Sequence, residues 1–418
     1  MPSPSADPAR AREFAAEIVR RLQRAGFETF WAGGCVRDEL LGRTPADYDV
    51  ATAAKPEDVR NLFGRRRTLA VGAAFGVITV LGPSNAGQVE VATFRADAPY
   101  TDGRHPAGVT FCSAREDAAR RDFTINGLFL DPVSGAIHDF VGGRADLAAG
   151  VVRAIGVPAM RFGEDHLRML RAVRFAAFFG FALERETREA IERMAHLVVS
   201  VSPERIAAEL RAMVSRTGRG RALELLEETG LAREVLPEIA PATAAARPHW
   251  LQAARVVAAC DEPDLPMALA ALAADLGDDP TARISSRLRL ATREGRASEW
   301  LREAVRNLEA DPVPTLRPWS QVQPLVAHER GRALADLLRA RAAAGRGDAA
   351  AAAWFTAQVN RPRVEIDPPP LVTGDDLLRA GIAPGPPIGA ALARIRTLQL
   401  DGAIATPAEA LAEVARRG

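Results

Sequence analysis

GGCVRDELLGRTPADYDV, residues 33–50, is the stretch on which the fold turns. The residues before it, FETFWA (27–32), form the apolar, aromatic run of a β-strand, and those after Gly33-Gly34 continue as a short helix through Leu41. A second strand contains Tyr48-Asp49-Val50. A glycine turn between strand and helix lets backbone N–H groups approach a phosphate, and Arg37, one turn into the helix, reaches the same anion. Asp47 and Asp49 lie two apart, and on a strand such side chains leave the same face. Two carboxylates on one face repel each other unless a cation sits between them; an oxygen-only pair beside a phosphate site suits Mg2+. Taken alone, a DxD reads better as a solvated loop, and a glycine pair as a plain tight turn. Here the turn, the arginine and the paired carboxylates fall within 17 residues, a joint signal that chance rarely supplies.

Outward from this stretch, residues 76–81 (GVITVL) and 88–94 (QVEVATF) read as two hairpin strands. Glu90 interrupts the second with a charge, which faces either solvent or a site. Upstream, Phe14, Ile18 and Leu22 recur at helical spacing over 11–25, Gly26 ends that helix, and residues 1–10 read as a frayed leader. From Arg161 to about residue 360 helical patterns dominate, so an α+β head precedes an all-helical remainder. RPRVEIDPPP (361–370) reads as a linker, and the Ala-rich run 342–353 as exposed or solenoid-like helix.

The 418 residues carry 54 basic and 53 acidic side chains, so any nucleic-acid footprint must be local. Lys55 is the only lysine; the other basic residues are arginine, a bias that suits phosphate but that GC-rich coding also produces. Residues 161–221 hold such a local excess, 12 arginines against 8 acids. Cys35, Cys112 and Cys260 form no CxxC pair and read as reduced, buried thiols. MPSPSADPAR lacks the apolar core of a signal peptide, and no 18-residue run would span a membrane; the expected compartment is the cytoplasm, with no membrane partner.

Residues 33–49 resemble the signature of the polymerase-β-like nucleotidyltransferases, and more closely the class II tRNA nucleotidyltransferases, the CCA-adding enzymes with their bacterial poly(A) polymerase relatives. VEVATFR (89–95), RRDFTIN (120–126), DFVGGRADL (139–147), EDHLR (164–168) and VSPERIAAEL (201–210) follow in the family's order over about the first half of the chain. LVTGDDLLRAGIAPGPPIGAALARIRTLQLDGAI (371–404) resembles the C-terminal segment of longer bacterial members, and 225–360 matches only loosely. The resemblance implies a polymerase-β-like head of mixed sheet and helices over 11–155, a helical neck that selects the base (156–225), a helical body (226–360) and a helical tail that meets tRNA (361–418).

It also implies the chemistry. Asp47 and Asp49 would hold two Mg2+ ions, with Glu90 a third carboxylate; the RNA 3′-hydroxyl attacks the α-phosphate of CTP or ATP and pyrophosphate leaves. Arg121 suits phosphate and Asp122 a ribose hydroxyl, with Asn126 able to donate and accept; an ion pair and a capping Asn would look the same. Gly127 stands where the family usually has Ala, which would loosen a local helix. If 161–178 is one helix, Asp165 and Arg168 share a face. An acceptor beside a donor matches the amine and ring nitrogen of C and A and rejects U and G; an ordinary surface ion pair has the same spacing. Glu164 would orient Arg168 or cap the helix, and Arg171 and Arg174 would bind phosphates or pair with neighbours. With Gly33, Gly34 and Arg37 these residues make the expected nucleotide site. Gly142-Gly143 reads as a hinge or as a turn.

TFRADAPYTDGRHPAGVTF (93–111) resembles the full-length loop linked to A addition, and Gly72, Phe75 and Gly76 resemble the tRNA-directed branch. The expected activity is addition of C, C and A to tRNA without a template. The alternatives are an A-adding enzyme, a poly(A) polymerase and, in a different class, a non-catalytic RNA-binding relative. Oligomeric state is not written in the sequence.

Overall fold

A computed structural model describes residues 7–83, 85–97, 109–311 and 313–416. The middle of the expected A-addition loop and the first six residues of the expected leader lie outside the described residues. Two compact units divide the chain, Met1–Pro237 and Glu238–Gly418.

In the first unit the elements run α1 (Pro8–Arg24), β1 (Thr29–Ala32), α2 (Gly34–Leu40), β2 (Asp49–Thr52), α3 (Pro56–Phe63), β3 (Thr68–Leu69), β4 (Val77–Leu81), β5 (Gln88–Thr93), β6 (Arg95–Asp97), β7 (Val109–Phe111), α4 (Ala114–Ala119), β8 (Leu128–Leu130), β9 (Ile137–Asp139), α5 (Gly143–Ala149) and β10 (Val151–Val152). There follow α6 (Pro158–Glu164), α7 (Leu167–Phe179), β11 (Ala182–Leu183), α8 (Arg185–Met194), α9 (Pro203–Val214), α10 (Arg219–Glu228) and α11 (Leu231–Val235). The mixed sheet and helical continuation agree with the α+β head expected from sequence.

One seven-stranded sheet, ordered β3-β4-β5-β2-β1-β8-β9, forms the head. Its one parallel pairing, β2 with β5, sets Asp49 opposite Glu90. β1 is buried along its length, as its apolar run requires. Phe30 and Ala32 point to one face and pack with Ala51, Phe94, Phe129 and, from α4, Ala114 and Ala118. On the other face Trp31 lies beside Tyr48, 4.7 Å between ring centres, and under Arg12 of α1 at 5.2 Å. β4 and β5 form the expected hairpin.

Several expectations need correction. Residues 8–10 are helix, not leader: Asp7 caps α1 by accepting the Ala9 N–H at 2.9 Å. β2 begins at Asp49, so Asp47 and Tyr48 precede the strand and the two-apart rule does not govern the pair. Residues 161–178 are not one helix, because Asp165 is extended (φ −153°, ψ 105°) and separates α6 from α7. Gly127 follows a 3-10 turn, Thr124–Asn126, and so has no helix to loosen.

Gly142-Gly143 is a capped turn. One Asp139 carboxylate accepts four backbone N–H groups, from Val141, Gly142, Gly143 and Arg144, at 2.8–3.2 Å. Gly143 also lets α5 press on the 3-10 turn, since a Cβ there would sit 2.1 Å from the Thr124 carbonyl oxygen.

The second unit is helical, as expected. Leu265–Ala273 is buried throughout and packs against Arg247–Ala259 and Thr292–Glu309. The Ala-rich run is broken between Gly331–Ala343 and Ala349–Val359; Ala343, Ala349, Ala350 and Ala353 are exposed, as expected, and Ala352 is buried. The Pro-rich stretch is anchored: it contains a short helix, Arg363–Ile366, and Asp367 accepts from Gln323 at 3.2 Å and Arg396 at 2.6 Å. A small core of Val372, Leu377, Ile395 and Ala410 follows it.

Candidate active site

β1 delivers the chain to Gly33, whose φ of +74° and ψ of −124° turn it into α2. That conformation favours glycine, and so does space: a Cβ would lie 2.6 Å from Arg121 Nη1. The Gly33 N–H already donates to the Leu128 carbonyl at 3.1 Å. Positive charge at this turn therefore comes from Arg37 and Arg121 rather than from that N–H. Arg37 is 7% exposed; it lies over Phe179 at 4.5 Å and donates to Asp38 at 2.9 Å and to Asn126 Oδ1 at 2.6 Å.

From there a relay of hydrogen bonds runs across the site. Asn126 Nδ2 donates to Asp122 Oδ1 at 3.0 Å, the Phe123 N–H donates to the same oxygen at 2.8 Å, and Arg171 donates to Asp122 Oδ2 from Nε at 2.9 Å, with Nη2 ion-paired to it at 2.7 Å. Burial alone would raise the Asp122 pKa, but Arg171, Asn126 and the Phe123 N–H together outweigh it and hold the carboxyl below its ordinary value.

Two of the three carboxylates face the same space. Asp47 and Asp49 are exposed to the cleft, and Glu90 is exposed on the neighbouring strand in register with Asp49. Water reaches Asp49, yet the surrounding protein still weakens its solvation. That effect, with the charges of Asp47 and Glu90 and against the pull of Arg121, pushes Asp49 up to about 6. The uncompensated negative charge and oxygen-only donors fit a hard divalent cation held by Asp47 and Asp49. Among the described residues no group of three or more His, Cys, Asp and Glu side chains converges on a metal position.

Asp117, on α4, holds two arginines at once. Oδ1 accepts from Arg120 at 2.9 and 2.8 Å, and Oδ2 from Arg121 at 3.2 and 3.0 Å. Opposite them, the side chains of Asp165 and Arg168 are each fixed by other residues rather than by each other. Asp165 accepts the Leu167 N–H at 3.1 Å and Arg205 Nη2 at 2.7 Å. Arg168 is 9% exposed, pairs with Glu164, and donates to the Arg161 carbonyl at 2.9 Å. The extended residue between two helices thus keeps the pair on one cavity wall without a shared helical face. Arg174 donates to Glu209 at 2.6 Å, and Arg171 lies 3.9 Å from the same carboxylate.

All of this opens into one cleft of about 640 Å³. Its lining brings together Gly33, Gly34, Arg37, Asp47, Asp49, Arg121, Asp122, Asn126, Asp165, Arg168, Arg171 and Arg174, every sequence-derived candidate except Glu90. Sequence reasoning missed Arg120, Arg205 and Phe175 on the walls and Asp117 and Glu209 behind them. Asp117 had a signal, since it stands three and four residues before the arginine pair, the spacing at which helix side chains meet. Arg205 lies in the quoted VSPERIAAEL, where nothing local points to Asp165.

Residues 29–153 match the family described as Poly A polymerase head domain, and residues 180–243 the one described as Probable RNA and SrmB-binding site of polymerase A. The CCA-adding enzyme of Geobacillus stearothermophilus is 43% identical over 215 residues, 51% of this chain and 52% of that protein. The chain thus matches about half the length of such curated relatives. Among solved structures, the Bacillus stearothermophilus CCA-adding enzyme in complex with CTP is 30% identical with a TM-score of 0.77, covering 97% of this chain and 98% of that one. The Thermotoga maritima CCA-adding enzyme complexed with tRNA shares the fold, at 21% identity and a TM-score of 0.69 over 99% and 96% of the chains.

Proposed function

Because the chain belongs to the tRNA nucleotidyltransferase/poly(A) polymerase family, we propose that it adds C, C and A to the 3′ end of tRNA without a nucleic-acid template, consuming CTP and ATP and releasing pyrophosphate. The observation that carries this reading is the single cleft that joins Asp47 and Asp49 to the Asp165–Arg168 pair. Nucleotidyl transfer needs the first two beside the α-phosphate; choosing C and A without a template needs a protein edge such as the second two. The relatives' CTP and tRNA complexes point the same way.

In this reading the triphosphate lies along Arg37, Arg120 and Arg121, whose charges offset its own. The RNA 3′-hydroxyl attacks the α-phosphorus. A P–O bond forms, the bond to the β-phosphate oxygen breaks, pyrophosphate departs, and the hydroxyl proton passes to the solvent-facing carboxylates. Asp47 and Asp49 would hold Mg2+, which when bound neutralises phosphate charge and makes the hydroxyl more acidic. Asp165 accepts from the base amine and Arg168 donates to the ring nitrogen; U and G present an oxygen where the amine should be. The Arg171–Asp122–Asn126 relay fixes the ribose side. We infer a cytoplasmic activity from substrates of this kind. No helix of the described residues is long and apolar enough to cross a membrane.

The test is incorporation by purified protein with Mg2+ on tRNA transcripts ending before CCA, after C and after CC, with each NTP alone and together. The expected result is two C additions, then one A, all lost in an Asp47→Ala, Asp49→Ala variant. Addition of A alone on the CC-ended tRNA, long A tails on arbitrary RNA, or no incorporation would each replace this reading.

A further inference from the structure

Asp117 touches no space that a substrate could enter. It is 1% exposed, yet its two oxygens carry two different arginines, each about one-fifth exposed at the side chain, and both arginines line the cleft. A buried carboxylate is costly unless paired, and here the pairing is split: if Arg121 turned away Oδ2 would be left unpaired, and if Arg120 did Oδ1 would keep only a backbone N–H. The two arginines diverge from that point. Arg121 presses its Nη1 edge against the Gly33 turn, packs over Phe129 at 5.1 Å, and acts on the charge of Asp49. Arg120 turns its backbone carbonyl to the other wall, where it accepts from Arg161 at 3.1 Å and Arg168 at 3.5 Å. Asp117 Oδ1 also accepts the Arg95 N–H at 3.3 Å, tying the start of β6 to the same point.

We propose that Asp117 is a positioning residue: it sets the Arg120–Arg121 fork in the orientation that receives the nucleotide's triphosphate. The inference rests on the nucleotidyl-transfer reading above and assigns it a residue outside the cleft. Asn at position 117 would turn an NH2 donor towards one guanidinium and remove the charge that orients both. The arginine charges would remain, but without a fixed direction.

The experiment compares wild type with Asp117→Asn, Arg121→Lys and Asp146→Asn. Asp146 is a second buried acid; it binds Arg153 at 3.0 Å and Thr124 at 2.7 Å and lies outside the cleft lining, so its loss reports damage to the head, the Thr124–Asn126 turn included, without touching the Arg120–Arg121 fork. Arg121→Lys keeps the charge but cannot make the two-pronged bond, and at a partly exposed site it leaves the fold intact if Asp117→Asn does not. KM and kcat for CTP and ATP are measured on tRNA, with CTP affinity by calorimetry and the thermal midpoint of each variant.

Asp117→Asn and Arg121→Lys are expected to raise KM for both nucleotides, and to weaken CTP binding, by at least about tenfold. The change in kcat should be smaller, and Asp146→Asn should lower the thermal midpoint while raising KM far less than Asp117→Asn. Wild-type KM in Asp117→Asn overturns the proposal; if that variant does not fold, wild-type KM in Arg121→Lys does so. An equal rise in Asp146→Asn also overturns it. A wild type that binds CTP but incorporates nothing sinks the functional reading while the binding comparison still decides Asp117; a wild type that binds no CTP sinks both.

Discussion

Arg171 grips Asp122 across 49 residues of sequence, donating from Nε at 2.9 Å to one carboxylate oxygen and bringing Nη2 within 2.7 Å of it as an ion pair. This pair joins helix α7 to the turn that follows α4, and so joins the base-facing wall of the cleft to the wall that carries Arg120 and Arg121.

Removing the grip should cost stability in a pH-dependent way. Arg171→Ala leaves Asp122 buried without its cation, a loss of roughly 1–3 kcal/mol. The Asp122 carboxyl is held below its ordinary value, so its contribution is complete above about pH 4, the unfolded value, and disappears as pH falls through the lower folded value. In the variant, burial acts without that opposing charge. Denaturant titrations from pH 3 to 8 should show wild type and variant far apart at neutral pH and converging in acid.

Asp49 has the opposite sign. Its folded-state carboxyl is pushed up to about 6, so ionising it opposes folding, increasingly as pH rises from about 4 to 6 and by a constant amount above. Asp49→Asn should therefore raise the thermal midpoint of the metal-free protein at pH 7.5 and leave it unchanged near pH 3. Mg2+ should stabilise wild type at pH 7.5 and not the variant, while nucleotide incorporation by the variant falls by about 10²–10³-fold.

Gly33→Ala should damage both fold and activity. The new Cβ would sit 2.6 Å from Arg121 Nη1 at a φ of +74°. The backbone strain costs roughly 1–3 kcal/mol. Arg121 must also move off the turn. The expected outcome is a lower thermal midpoint and a higher KM for CTP and ATP, checked by calorimetry and steady-state kinetics.

Selection among bases should depend on who holds Asp165. Asp165→Ala removes the amine acceptor, and preference for CTP over UTP should fall by about tenfold or more. Arg205→Ala removes one support but leaves the Leu167 N–H bond, so its loss of preference should be smaller. Single-nucleotide competition assays on a CC-lacking tRNA distinguish the two; equal losses would mean Asp165 has no independent position.

Arg168→Ala should lower kcat/KM for CTP and ATP and also loosen the break between α6 and α7, because Arg168 donates to the Arg161 carbonyl at 2.9 Å and pairs with Glu164. A protease-resistance profile of residues 158–179 alongside the kinetics reads both effects.

What could be read from the sequence was local. The strand–turn–helix at Gly33, the β4–β5 hairpin, the amphipathic face of α1 and the change to helical texture all follow from side-chain period and turn chemistry within a few residues. Asp47, Asp49, Arg121 and Arg168 stood out because motif order and residue type mark them. The tertiary structure decided which of them meet. Arg37 reaches Asn126 across 89 residues, and Asp165 reaches Arg205 across 40. The break at Asp165 was hidden for the same reason: helical spacing continues through it, while its carboxylate is drawn to Arg205 on α9 and to the Leu167 N–H. Sheet register likewise set Glu90 beside Asp49. Local periodicity reports which way a side chain points; its partner depends on packing between distant segments, which no short window of sequence contains.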